Sequence, residues 1–110
     1  MTDDCVVQGQ ELTGSISSSG LRNAGLITEV TLNSTTWTAL PPTALTNRNA
    51  LSMQNRSGIE IKLQYDPTTV GYVGMVVPDG YERQYDITEN IVIYAKASSG
   101  NPVITIEELS

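Results

Sequence analysis

The chain has 110 residues, with 12 acidic against 6 basic side chains and a net charge of −6. Phosphate recognition draws its affinity from clustered Lys and Arg. The basic residues here (Arg22, Arg48, Arg56, Lys62, Arg83, Lys96) are scattered, so the sequence argues against nucleic acid and anionic membrane as partners. There is no histidine, which removes the usual general base and most transition-metal ligand sets. Cys5 is the single cysteine, so no intrachain disulfide can form.

Residues 1–25 read as a flexible N-terminal arm. Thr13-Gly14-Ser15-Ile16-Ser17-Ser18-Ser19-Gly20 is small and polar with one isoleucine, and Cys5-Val6-Val7 ahead of it reads as a short strand or an anchor. Two readings stand: a terminus without a role, or an arm that orders on a neighbouring subunit. There is neither a basic and then apolar leader nor an apolar run of membrane-spanning length, so synthesis in a cytoplasm is the expectation.

A β-sandwich domain is expected over residues 26–110. Leu26–Leu32 reads as a strand with Leu26, Val30 and Leu32 on one face and Ile27 on the other. Asn33-Ser34 turns into a strand at Thr35–Leu40, which carries Trp37, and Pro41-Pro42 stops pairing for want of backbone donors. Arg48–Asn55 follows with Leu51 and Met53 inward. Asn55-Arg56-Ser57-Gly58 predicts a hairpin into Ile59–Tyr65, whose residues alternate apolar and polar.

After the loop at Asp66-Pro67-Thr68-Thr69 comes Tyr72–Val77, where Gly74 marks a bulge or a close backbone approach. Pro78-Asp79-Gly80 predicts a turn with proline at its first central position and glycine left-handed. Tyr81–Ile87, Ile91–Ala97 and Val103–Leu109 complete about eight strands at the spacing of an all-β sandwich. Ile91-Val92-Ile93-Tyr94 is apolar on both faces and predicts a central strand. No segment keeps a 3.6-residue period, so no substantial helix is expected.

Candidate chemistry is sparse. Asp79, Glu82, Asp86 and Glu89 form the one acidic stretch, but Glu82 and Asp86 alternate with Gln84, as on the wet face of a strand. The stretch lacks the Asp/Asn ladder of a calcium loop. The five tyrosines (Tyr65, Tyr72, Tyr81, Tyr85, Tyr94) suit core edges, with an exposed subset available for contact.

From Arg48-Asn49-Ala50-Leu51-Ser52-Met53-Gln54-Asn55-Arg56-Ser57-Gly58 the chain runs through the Pro-Asp-Gly turn and Ile91-Val92-Ile93-Tyr94-Ala95. It then passes Ser99-Gly100 to a closing Ile106-Glu107-Glu108-Leu109. This order resembles small virion proteins of tailed double-stranded DNA phages. In particular it resembles the capsid decoration (cement or staple) proteins of epsilon-type short-tailed phages. The resemblance covers residues 47–110 and rests on turns and strand ends.

It implies a jelly-roll-like β-sandwich, homodimeric, outside an icosahedral shell, with the major capsid protein as partner and no catalytic residue, metal or cofactor. The candidate contact residues lie outside that stretch and follow from composition: the apolar members of the arm, Val6, Val7, Leu12, Ile16 and Leu21, since apolar anchors in a polar segment have few other uses. The competing readings are a low-copy tail or head–tail protein and a carbohydrate-binding β-sandwich that touches a host surface.

Overall fold

The computed structural model describes residues 23–110. Eight strands follow in order: β1 (Gly25–Thr31), β2 (Thr38–Ala39), β3 (Ala50–Asn55), β4 (Ile61–Gln64), β5 (Met75–Val77), β6 (Tyr81–Tyr85), β7 (Tyr94–Ala97) and β8 (Val103–Leu109). They form two antiparallel sheets, ordered β1-β8-β3-β6 and β2-β7-β4-β5. Strand pairing is nested: β1 with β8, β2 with β7, β3 with β6, β4 with β5. A long antiparallel ribbon with its tip between β4 and β5 has been rolled up so that β8 meets β3 and β7 meets β4. That is the jelly-roll order.

The period-2 pattern sets the core. Val30, Leu51, Met53, Ile104 and Ile106 point inward from the first sheet, and Ile61, Leu63, Val77, Ala95 and Ala97 from the second. Leu32, Leu40 and Ile93 enter from adjoining segments. Ile27 points outward as its alternation predicts, whereas Leu26, inward by alternation, is still 44% exposed because it sits near a strand end.

Several expectations change in detail. The strand at Thr35–Leu40 shrinks to two residues because Asn33 Oδ1 accepts the backbone N–H groups of Thr35 and Thr36 at 2.9 and 2.7 Å, curling the chain locally. No hairpin joins Arg48–Asn55 to Ile59–Tyr65: β3 and β4 lie in different sheets, and residues 56–60 carry the chain between them. Asn55, fully buried, holds this crossing, donating from Nδ2 to the carbonyls of Ile59 and Val77 at 2.8 and 2.9 Å.

Tyr72–Val77 starts pairing only at Met75. A side chain on Gly74 would collide with the carbonyl of Leu63, the close approach its glycine signals. In the turn before β6, Tyr81 N–H donates to Pro78 O at 3.2 Å, which makes Pro78 the first turn residue and not a central one. Gly80, at φ 86°, takes the left-handed position. Ile91–Ala97 yields a strand only from Tyr94, so of the apolar run Ile91-Val92-Ile93-Tyr94, expected as a central strand, only the last residue is in β7; β7 is an inner strand of its sheet, but Ile91 ahead of it is 45% exposed.

Register defines two ends of the sandwich. The entry end carries Gly25, Leu109, Ala50 and Tyr85 of the first sheet with Tyr94, Gln64 and Met75 of the second. The chain enters there, where Ala24 and Ser110 exchange backbone hydrogen bonds. The far end carries the turns at Gly58, Gly80 and Gly100.

Candidate interaction surfaces

The apolar arm residues Val6, Val7, Leu12, Ile16 and Leu21 lie outside the described residues, as does Cys5. Within the sandwich the residues sort into three surfaces and one buried ion pair.

The outer face of the first sheet is polar and acidic. Register aligns Ile27, Glu107, Ser52 and Gln84 in one row, and Glu29, Thr105, Gln54 and Glu82 in the next. Of the four acids singled out in the sequence, three have structural partners. Asp79 accepts Gly58 N–H at 2.8 Å, Glu89 accepts Asn47 N–H at 3.1 Å, and Glu82 lies 3.5 Å from Arg56 in solvent. Asp86 is exposed. Among the described residues no three acidic side chains converge as metal ligands would.

The outer face of the second sheet is covered by its own β4–β5 loop. Four consecutive-region carbonyls of this loop each accept a side-chain donor from the sheet or its approach. Trp37 Nε1 donates to Thr69 O at 2.9 Å, Lys96 Nζ to Gly71 O at 3.1 Å, Lys62 Nζ to Tyr72 O at 3.2 Å, and Gln64 Nε2 to Val73 O at 2.7 Å. Lys62 and Lys96 are directly opposed across β4 and β7, an arrangement that repels in isolation. Here each ammonium sits over an aromatic ring, Lys62 4.6 Å from the centre of Tyr72 and Lys96 4.9 Å from that of Trp37.

Lys96 is only 7% exposed as a result. Tyr72 hydrogen-bonds Glu60 at 3.0 Å, and burial first, then Glu60, pushes its phenol up to about 12. At the start of the loop, hydrogen bonds from Thr68 hold the Asp66 carboxyl below its ordinary range. Val70 at the tip stands 91% exposed.

The third surface lies at the entry end. A groove of about 280 Å³ opens between β4, β5 and β6, walled by Leu63, Tyr65, Met75, Tyr85 and Ile93. A second, of about 540 Å³, is also lined by Tyr65, together with Asn90, Ile91, Val92 and Tyr94. Neither contains a charged residue. Tyr65 and Met75 are 64% and 67% exposed, large apolar area for a rim. Burial raises the Tyr85 phenol above its ordinary value, with neighbouring Tyr65 as the second cause.

Beneath this end, Arg48 and Glu108 form a fully buried ion pair at 2.9 Å. Arg48 Nη2 also donates to the carbonyls of Thr88 and Ile91 at 2.8 and 2.7 Å, and Glu108 accepts Leu45 N–H at 3.0 Å. The pair pins two loops onto β8. Sixty residues separate the partners, so spacing gave no sign of it; the one available hint is a Glu at an inward-facing position of β8.

No protein-family model matches the chain, and no curated protein matches it at the significance required.

Proposed function

We propose that this chain is a structural protein of a tailed-phage virion, bound as a homodimer to the outer surface of the icosahedral shell, where it staples neighbouring major capsid subunits. The observation that carries this reading is the jelly-roll strand order, which spans the stretch whose sequence resembles phage decoration proteins. Fold alone does not assign function. The surfaces add to the case: one uncharged apolar rim suits protein contact, and one acidic polar face suits solvent.

The work is mechanical. A protein that binds the closed shell and not the opened one shifts the balance toward closure by mass action, and repetition over a symmetric lattice multiplies a modest contact. The apolar arm residues Val6, Val7, Leu12, Ile16 and Leu21 supply shell contacts in this account, and no residue is catalytic.

The test is reconstitution. Purified protein is added to shells stripped of it, and cosedimentation and heat resistance are measured. Saturable binding with delayed rupture supports the reading, as does weaker binding after deletion of residues 1–20. No binding to shells, with binding to tails or host polysaccharide instead, rejects it.

A further inference from the structure

We infer that β1 pairs antiparallel with β1 of a second copy, joining two four-stranded sheets into one continuous sheet about a two-fold axis at Thr28. The inference rests on the homodimer of the proposed function and names its interface; it does not involve the shell. The first observation is the direction of the backbone groups. Ala24 and Ser110 exchange backbone hydrogen bonds at 3.4 and 2.9 Å, and Leu32 N–H donates to Pro102 O at 2.8 Å. With the unbroken register between β1 and β8, this assigns the ladder bonds to Leu26, Thr28 and Val30, since bonded pairs alternate along an antiparallel ladder. Gly25, Ile27, Glu29 and Thr31 therefore turn both N–H and carbonyl away from β8. Among the described residues no strand pairs with that side.

The second observation is that β1 differs from the other sheet edges. β2 is only two residues long and β5 three. The edges at β5 and β6 are joined by the turn through Pro78 and Gly80, and Arg83 Nη2 donates across them to Val76 O at 2.9 Å. β1 runs for seven residues without the proline, lysine or bulge that ordinarily blunts an edge, and its one charge is Glu29.

The third observation is that the strand complements itself. Pairing centred on Thr28 sets Gly25 opposite Thr31, Leu26 opposite Val30 and Ile27 opposite Glu29 of the second copy. Every outward-turned N–H and carbonyl of the strand then finds a partner. Leu26 and Val30 meet as a non-hydrogen-bonded pair, the closer kind, which covers a leucine that stands 44% exposed on the core side. A register centred on Glu29 would oppose the two carboxylates directly, and one centred on Ile27 pairs only five of the seven residues.

The test uses the full chain. Sedimentation over a dilution series should show a reversible dimer. Hydrogen exchange should protect the amides of Ile27, Glu29 and Thr31 in the dimer alone, while those of Leu26, Thr28 and Val30 stay protected at every concentration. Two substitutions at Ile27, which is 66% exposed, read the register. Ile27→Glu sets like charges opposite Glu29 of the second copy, and Ile27→Lys sets opposite charges there. Their dimer dissociation constants should differ by roughly tenfold or more, the lysine variant being the tighter. A monomer at all concentrations would overturn the inference, as would association beyond two copies. A dimer whose Ile27 and Glu29 amides exchange freely, or whose strength ignores the two substitutions, overturns it while leaving the homodimer on another surface. Protection of those amides that does not depend on concentration means that the edge is covered within one chain, which also overturns it. Failure of the shell reading is read separately, from cosedimentation with stripped shells.

Discussion

Arg48→Met should be among the most damaging single substitutions in the sandwich. The guanidinium holds Glu108 at 2.9 Å and two loop carbonyls, and both side chains are excluded from water, at 1% and 0% exposure. Removing it leaves a buried carboxylate with one remaining donor among the described residues, Leu45 N–H. Breaking a buried pair in this way costs about 3–5 kcal/mol. Against a total stability on the order of 5–15 kcal/mol, that is a large share. At about 4–8 °C per kcal/mol for a domain of this size, the melting temperature should fall by roughly 15 °C or more.

The double variant Arg48→Met with Glu108→Leu should recover most of the loss. The pair itself is not an ideal fork, since Arg48 Nε and Glu108 Oε1 find no partner among the described residues. Replacing both members of such a pair by apolar groups is often neutral. Urea denaturation followed by circular dichroism gives both values. A single variant that costs less than about 1 kcal/mol, or a double variant as unstable as the single, would refute the reasoning.

Three further outcomes follow from the same structure. Gly74→Ala should destabilise by about 1–3 kcal/mol, because its methyl group meets the Leu63 carbonyl; Gly71→Ala, left-handed at φ 84° but with open space around it, should cost about 1–2 kcal/mol from backbone strain alone, and denaturation midpoints separate the two. Lys96→Met should loosen the β4–β5 loop, removing a desolvated cation–π contact of about 2 kcal/mol, which protease cleavage within residues 66–74 and altered Trp37 fluorescence would report. Tyr72 has a raised phenol, so its contribution is whole below pH 10 and is lost as pH climbs from 10 toward 12, the unfolded chain ionising first; ultraviolet titration should show late-ionising tyrosine, part of it moved earlier by Glu60→Gln while the Tyr85 part is not.

Much of the sandwich was legible because its strands bury one face: Leu51 and Met53, Ile61 and Leu63, Ile104 and Ile106 alternate with wet residues in sequence as they do in space. The turn glycines Gly58 and Gly80 were legible for a local reason, the left-handed conformation they supply. What escaped was non-local. Lys96 sits at a position that alternation assigns to solvent, and it is buried only because a loop folds back over the sheet and offers carbonyls and an indole ring. The sheet change between β3 and β4 looked like a hairpin because Gly58 suits either connection. Among the tyrosines, Tyr65 becomes a rim residue because β4 ends at Gln64, a boundary set by tertiary packing and not by the unbroken alternation through Tyr65.

The proposed role makes this chain part of a phage particle, so its most direct test is copy number, measured by quantitative mass spectrometry of such purified particles against their major capsid protein. A shell staple repeats with the lattice, so the account predicts a fixed stoichiometry of about one copy per capsid subunit. A handful of copies per particle would place the protein on the tail axis and contradict the account, as would its absence from particles.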